Sequence, residues 1–181
     1  MIPVRAAVPA DAPELARLRG VMFAAMGKAA EDDHGPWRAE SERAFREQLA
    51  APAAADEPPG AVTPLGVGVG VGGLVGFVVD DPGRPGRLAA CAVGTLDRRL
   101  PTPRTAGAVL VGHVSSVCTD PEHRRRGYSR VCVEQLLAWY DRHGVARVHL
   151  NATDQAEGLY RSLGFTDPGS TPLTRLSPDA R

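Results

Sequence analysis

The segment from residue 108 to residue 150 limits the fold more than any other. Ala108 to Thr119 is the longest run with strand character. A turn, Asp120 to His123, follows, and then the basic stretch Arg124-Arg125-Arg126-Gly127-Tyr128-Ser129. From Ser129 to Arg142 the apolar residues Val133, Leu136, Leu137 and Tyr140 recur at helical spacing, and Gly144 is placed to end that helix. Val145 to Leu150 alternates apolar and polar residues, which predicts another strand. Strand, helix, strand in this order is a crossover unit. It requires a sheet with helices packed on it.

The flanking sequence extends that sheet. Ile2 to Val8 predicts a first strand. Asp11 with Glu14 resembles a capping box, and Leu15, Leu18 and Met22 continue a helix to about Met26. A second helix is predicted from Trp37 to Leu49, with Trp37, Phe45 and Leu49 on its apolar face. Ala51 to Pro64 is rich in Ala and Pro and predicts a mobile linker. Gly72-Gly73 suggests a hairpin turn before a strand at Leu74–Val79, and Arg87 to Thr95 predicts a further strand. Asp154 to Leu163 predicts a short helix ended by Gly164, and a last strand region runs from Phe165 through Leu173 to Leu176. The expected fold is α/β (α+β): a mixed sheet of about six or seven strands with helices on both faces. With 181 residues, a single domain spanning the chain is expected.

Composition narrows the function. Lys and Arg number 21, as do Asp and Glu, so the formal net charge is zero. A dedicated nucleic-acid binder is normally clearly basic, and no nucleic-acid partner is expected. The most apolar window, Val62 to Val79, is interrupted by six glycines and a proline, so no membrane partner is expected either. Cys91, Cys118 and Cys132 form no CxxC pair. Free thiols and the lack of a signal peptide suggest a cytoplasmic location, and no metal-ligand spacing is present.

The basic turn has the layout of an anion site. The first N–H groups of a helix lack helical acceptors, and the helix dipole adds roughly half a positive charge there. Gly127 lets the backbone approach a ligand and Ser129 is small. The arginines add attraction for phosphates.

These residues carry a resemblance. Arg124-Arg125-Arg126-Gly127-Tyr128-Ser129 resembles motif A of the GCN5-related N-acetyltransferase superfamily, Arg/Gln-x-x-Gly-x-Gly/Ala, with Ser129 in the last position. Downstream, AEGLYRSLGF (Ala156 to Phe165) resembles the closing motif A-x-x-L-Y-x-x-x-G-F. The family often has Asn three residues before that Ala; here Thr153 stands there and Asn151 lies two residues earlier. The resemblance covers Ala108 to Phe165 firmly and the remainder by element order.

The resemblance implies acetyl-CoA as donor and a small-molecule or peptide amine as acceptor, joined in a ternary complex, and family members are often homodimers. It implies that two splayed strands admit the pantetheine arm, held by backbone groups at Val117 and Thr119 with Asn151 nearby. It implies that the pyrophosphate rests on the backbone from Arg125 to Arg130, with Arg124, Arg126 and Tyr128 in the same loop. Tyr160 then occupies the general-acid position. His113 matches a position where some members carry a glutamate base. Period-two alternation places His113, Ser115, Val117 and Thr119 on one strand face and Cys118 on the other. Asp32, Asp33 and His34 stand in a loop that borders the acceptor site in this family. The second reading, from a different class, is an acyl-CoA-binding regulatory module without catalysis.

Overall fold

The computed structural model describes residues 2–28, 35–50, 71–101, 103, 109–169 and 173–175. The Ala51–Pro64 linker and the acidic run with His34 lie outside the described residues. The chain divides into two compact units, Met1–Asn151 and Ala152–Arg181.

The first unit holds β1 (Arg5–Ala6), α1 (Ala12–Ala25), α2 (Pro36–Ala50), β2 (Val71–Asp80), β3 (Leu88–Arg99), β4 (Val109–Thr119), α3 (Tyr128–Arg142) and β5 (Arg147–His149). Five strands form one sheet in the order β1-β2-β3-β4-β5. The first four are antiparallel neighbours, and β5 lies parallel to β4. The crossover through α3 thus makes the sheet mixed, as the sequence predicts.

Two cores cover the two sheet faces. Leu15 and Leu18 of α1 and Phe45 of α2 pack with Val78, Cys91, Val93 and Cys118. On the opposite face α3 buries Val133, Leu136 and Tyr140. Tyr140 lies flat on the sheet because Gly94 and Gly112 leave it room, and a Cβ on Gly112 would meet its ring at 2.9 Å. Its hydroxyl donates to the Thr95 carbonyl at 3.0 Å.

Several expectations need correction. Gly72 and Gly73 lie within β2, beside a register shift between Val71 and Leu74, and not in a hairpin turn. A glycine pair in a strand that reads as a turn is here a bulge. The strand count is five among the described residues, below the expected six or seven. Described residues after α4 (Asp154–Ser162) form no strand. Asp11 does not cap α1 with its side chain. Its carboxylate instead accepts from Val8 N–H and Arg5. Glu14 reaches across to the Leu88 N–H at 2.9 Å rather than back to the helix start. Both carboxylates were claimed by groups that sequence spacing does not reveal.

The second unit contains α4, where Tyr160 is buried and meets Phe165 edge-on with ring centroids 5.7 Å apart. The Phe165 N–H returns to the Tyr160 carbonyl at 3.1 Å and closes the helix end.

Candidate active site

Strand β4 and its loop build the site. β4 pairs with β5 only from Val111 to His113, opposite Arg147 to His149. Beyond His113 the β5 side of β4 has no strand partner among the described residues. The Asp120 N–H bonds to the Ala89 carbonyl, so by antiparallel alternation Cys118 and Ser116 also turn their backbone groups toward β3. That leaves the backbone groups of Val117 and Thr119 on the open edge. The two strands part where the pantetheine wedge was expected.

The register contains a feature that the sequence does not show. Val93 pairs with Ser116 and Gly94 with Val114, so Ser115 is an extra residue on β4. A bulge of this kind reverses which residues face which side. Gly112, before the bulge, lies under Tyr140 of α3, whereas Ser116, after it, bonds to Arg19 of α1. Thr119, on the other parity, meets Ser129 at the start of α3. His113 therefore shares the α1 face with Ser116 and Cys118, and Val117 and Thr119 share the α3 face. The expectation that His113, Val117 and Thr119 line one face is corrected, as is the assignment of Cys118 to the other side. His149 is the register partner of His113, so two histidines stand side by side where β4 and β5 separate.

The loop after β4 is anchored at both ends. Asp120 is buried, accepts from the Glu122 N–H and pairs with Arg17 at 2.8 Å and Arg87 at 3.2 Å. Burial alone pushes its carboxyl pKa up, but the Glu122, Arg87 and Arg17 donors outweigh this and hold it below the usual value. His123 is buried, with Nε2 3.0 Å from Asp81 Oδ2, and stacks on Tyr128 at 5.9 Å between centroids. Neither ring nitrogen is aligned for a hydrogen bond, so Nε2 and the carboxylate approach closely without one. Asp81 is held below the usual carboxylate pKa by the Gly83 N–H first and by His123 second. Sequence reading missed these anchors because their partners are distant in the chain.

Between the anchors the backbone is unusual. Arg125 has φ 63° and Gly127 φ 81°. A left-handed arginine costs about 1–2 kcal/mol. Left-handed residues alternating with ordinary ones turn successive N–H groups inward, as in anion-binding nests. The N–H groups of Arg125, Arg126, Gly127, Tyr128 and Ser129 take no backbone acceptor among the described residues. Arg124, Arg125 and Arg126 are exposed and make no ion pair with described residues. Arg130 pairs with Glu134 at 3.5 Å. Thr119 Oγ1 and Ser129 Oγ lie 2.6 Å apart and tie strand to helix. Free N–H groups, local cations and an open strand edge suit a pyrophosphate-bearing ligand such as acetyl-CoA.

The other expected residues are placed separately. Asn151 is exposed, two residues past β5. Tyr160 belongs to the second unit; burial raises its pKa, so the phenol stays protonated at neutral pH. Cys118 is buried and its thiol is pushed up to about 12, which agrees with a core role. Among the described residues no group of three His, Cys, Asp or Glu is arranged to hold a metal, and no helix is long and apolar enough to cross a membrane.

Comparison with known proteins follows the same outline. The model of the acetyltransferase (GNAT) family matches residues 24–165. No curated protein sequence matches. A predicted acetyltransferase from Clostridium acetobutylicum, solved with acetyl-CoA, is similar in fold with TM-score 0.71 and 17% identity, over 97% of this chain and 96% of that one. A GCN5-related N-acetyltransferase from Ralstonia eutropha JMP134 gives TM-score 0.64 and 21% identity, over 96% and 97%. Glucosamine-6-phosphate N-acetyltransferase from Arabidopsis thaliana gives 0.65 and 15%, over 97% and 98%. At these identities the solved structures speak for the fold, and the family match, across most of the chain, speaks for descent: this protein belongs to the acetyltransferase (GNAT) family.

Proposed function

We propose that the protein is an N-acetyltransferase that moves an acetyl group from acetyl-CoA to a primary amine of a small molecule or peptide, directly within a ternary complex. The observation that carries this reading is the Arg125–Ser129 nest beside the unpaired edge of β4. The nest would hold the pyrophosphate and the Val117 and Thr119 backbone the pantetheine arm, with Asn151 alongside. The family match spans both compact units, which supports their acting as one catalytic domain.

Acetyl-CoA supplies an activated thioester. This chain's residues supply the proton handling. An amine attacks only when neutral, and a free amine near pKa 10 is mostly protonated at pH 7. His113 takes that proton, since imidazole accepts protons near neutral pH. Tyr160 returns a proton to the departing thiolate. Its raised pKa keeps the donor loaded, and its place in LYRSLGF matches the family's acid. The three buried cysteines are poor nucleophiles, which favours direct transfer over an acyl-cysteine route.

The test is thiol release from acetyl-CoA with a panel of amines, beside calorimetry with acetyl-CoA alone. Turnover with at least one amine is expected. Tight binding with no turnover on a broad panel would replace the enzyme with a regulatory acyl-CoA-binding module.

A further inference from the structure

We infer that Arg19 is an anion-binding residue of the acceptor site, so that the preferred amine carries a carboxylate or phosphate. This rests on the acetyltransferase reading above. Two other partly buried arginines of this protein are neutralised by carboxylates. Arg17 is saturated by Glu14, Asp120 and the Leu88 carbonyl. Arg5 is saturated by Asp11 and Asp80. These are structural cations, and carboxylates neutralise them. Arg19 is different. It is partly buried, yet it faces no carboxylate among the described residues. Its one hydrogen bond among the described residues goes to Ser116 Oγ at 2.5 Å, and it lies 4.8 Å from the centroid of the Phe23 ring. A neutral hydroxyl and a ring face do not neutralise a guanidinium. Burying a charge without a counter-ion is unfavourable unless something supplies one. Burial accordingly lowers the Arg19 pKa from its ordinary value.

The surroundings say what would supply the counter-ion. Ser116 stands on the α1 face of β4, the face to which the Ser115 bulge also assigns His113. An anion on Arg19 would therefore lie along the same strand face as the proposed base. Phe23 meets Trp37 of α2 edge-on at 5.6 Å, giving an aromatic wall. The Arg38 guanidinium packs over Gly20, next to Arg19 in the chain, and lies 5.8 Å from the Trp37 ring. The Arg19 cation beside the Phe23 and Trp37 rings favours a small amine with an anionic group and an apolar body. A guanidinium presents paired donors that match carboxylate and phosphate oxygens.

The experiment uses matched acceptors: phenylalanine against 2-phenylethylamine for carboxylate, and phosphoethanolamine against ethanolamine for phosphate. Wild type should prefer the charged member of at least one pair by about 10- to 100-fold in kcat/KM, the span of one charge-assisted contact. Arg19→Gln should bring that ratio to within about 3-fold through acceptor KM, with KM for acetyl-CoA unchanged. Arg19→Lys, which keeps the charge, should retain part of the preference, and it serves as the variant if Arg19→Gln fails to fold. Which pair responds identifies the anion. Calorimetry with N-acetylphenylalanine and N-acetyl-2-phenylethylamine gives a readout without catalysis. Turnover with no preference for charge in wild type, or a preference that survives in Arg19→Gln, would overturn the inference and leave the enzyme reading standing. No turnover with any amine, together with N-acetylphenylalanine binding that Arg19→Gln abolishes, would overturn the enzyme reading and support the anion site. Failure of both turnover and anion binding would overturn the two together.

Discussion

Thr119 Oγ1 lies 2.6 Å from Ser129 Oγ, so the last residue of β4 is tied to the first turn of α3. Where the family motif has Gly or Ala, this chain uses a small hydroxyl residue that closes the loop on itself. Thr119→Val and Ser129→Ala should each lower stability by about 1 kcal/mol. The double variant should cost little more than either single one, because both remove the same bond. Denaturant unfolding of the four proteins measures this coupling.

Gly127 offers a cleaner test of backbone shape. Nothing lies within 4 Å of a Cβ added there, so Gly127→Ala changes only the cost of φ 81°. Stability should fall by about 1–2 kcal/mol, and acetyl-CoA should bind more weakly as the nest relaxes. Arg125→Gly should move stability the other way, since it relieves φ 63°. Thermal unfolding and calorimetry would check both.

The α3 face depends on close approach. Gly112→Ala would drive a methyl into the Tyr140 ring and should cost about 1–3 kcal/mol. Because Tyr140 also bonds to the carbonyl of Thr95, the partner of His113 in the sheet, turnover should fall more than acetyl-CoA affinity. Steady-state kinetics would separate the two effects.

Acid should weaken two buried carboxylate links, Asp11 near the N-terminus and Asp120 at the loop after β4. Asp11 and Asp120 are both held below the usual carboxylate pKa of about 4 in the folded state, despite burial that opposes this, by the Arg5 and Val8 donors and by the Glu122, Arg87 and Arg17 donors. Carboxylates with lowered folded pKa contribute stability above their unfolded value and lose it as pH falls through the folded value. Stability should therefore drop below about pH 4, and Asp120→Asn should flatten that drop. At neutral pH Asp120→Ala should cost about 3 kcal/mol, because it leaves Arg17 short of a partner. Urea unfolding across the acid range would show this.

Most elements were legible because they rest on local signals. Helical spacing placed α1, α2 and α3 within a residue or two, and the long strand, basic turn and following helix gave the crossover. The features that refine the site were not legible. In VGHVSSVCT, nothing marks Ser115 as an extra residue, because a bulge is fixed by the neighbour β3. Alternation therefore assigned His113 to the wrong face. Glu14 looked like a local cap and instead serves Leu88, far along the chain. The His113–His149 neighbourhood depends on where β4 and β5 stop pairing, which only the register decides.

The base assignment has its own signature. His113→Ala should remove the acidic limb of the pH–rate profile and lower kcat/KM by about 100-fold or more near neutral pH. An acidic limb identical to that of wild type would assign the proton to another group.

The most direct measurement is the kinetics of Tyr160→Phe, with acetyl-CoA affinity determined in parallel. Acetyl transfer with Tyr160 as proton donor predicts that turnover falls by about 100-fold or more while acetyl-CoA binds as it does to wild type. Unchanged turnover in Tyr160→Phe, with acetyl-CoA bound equally well, would contradict it.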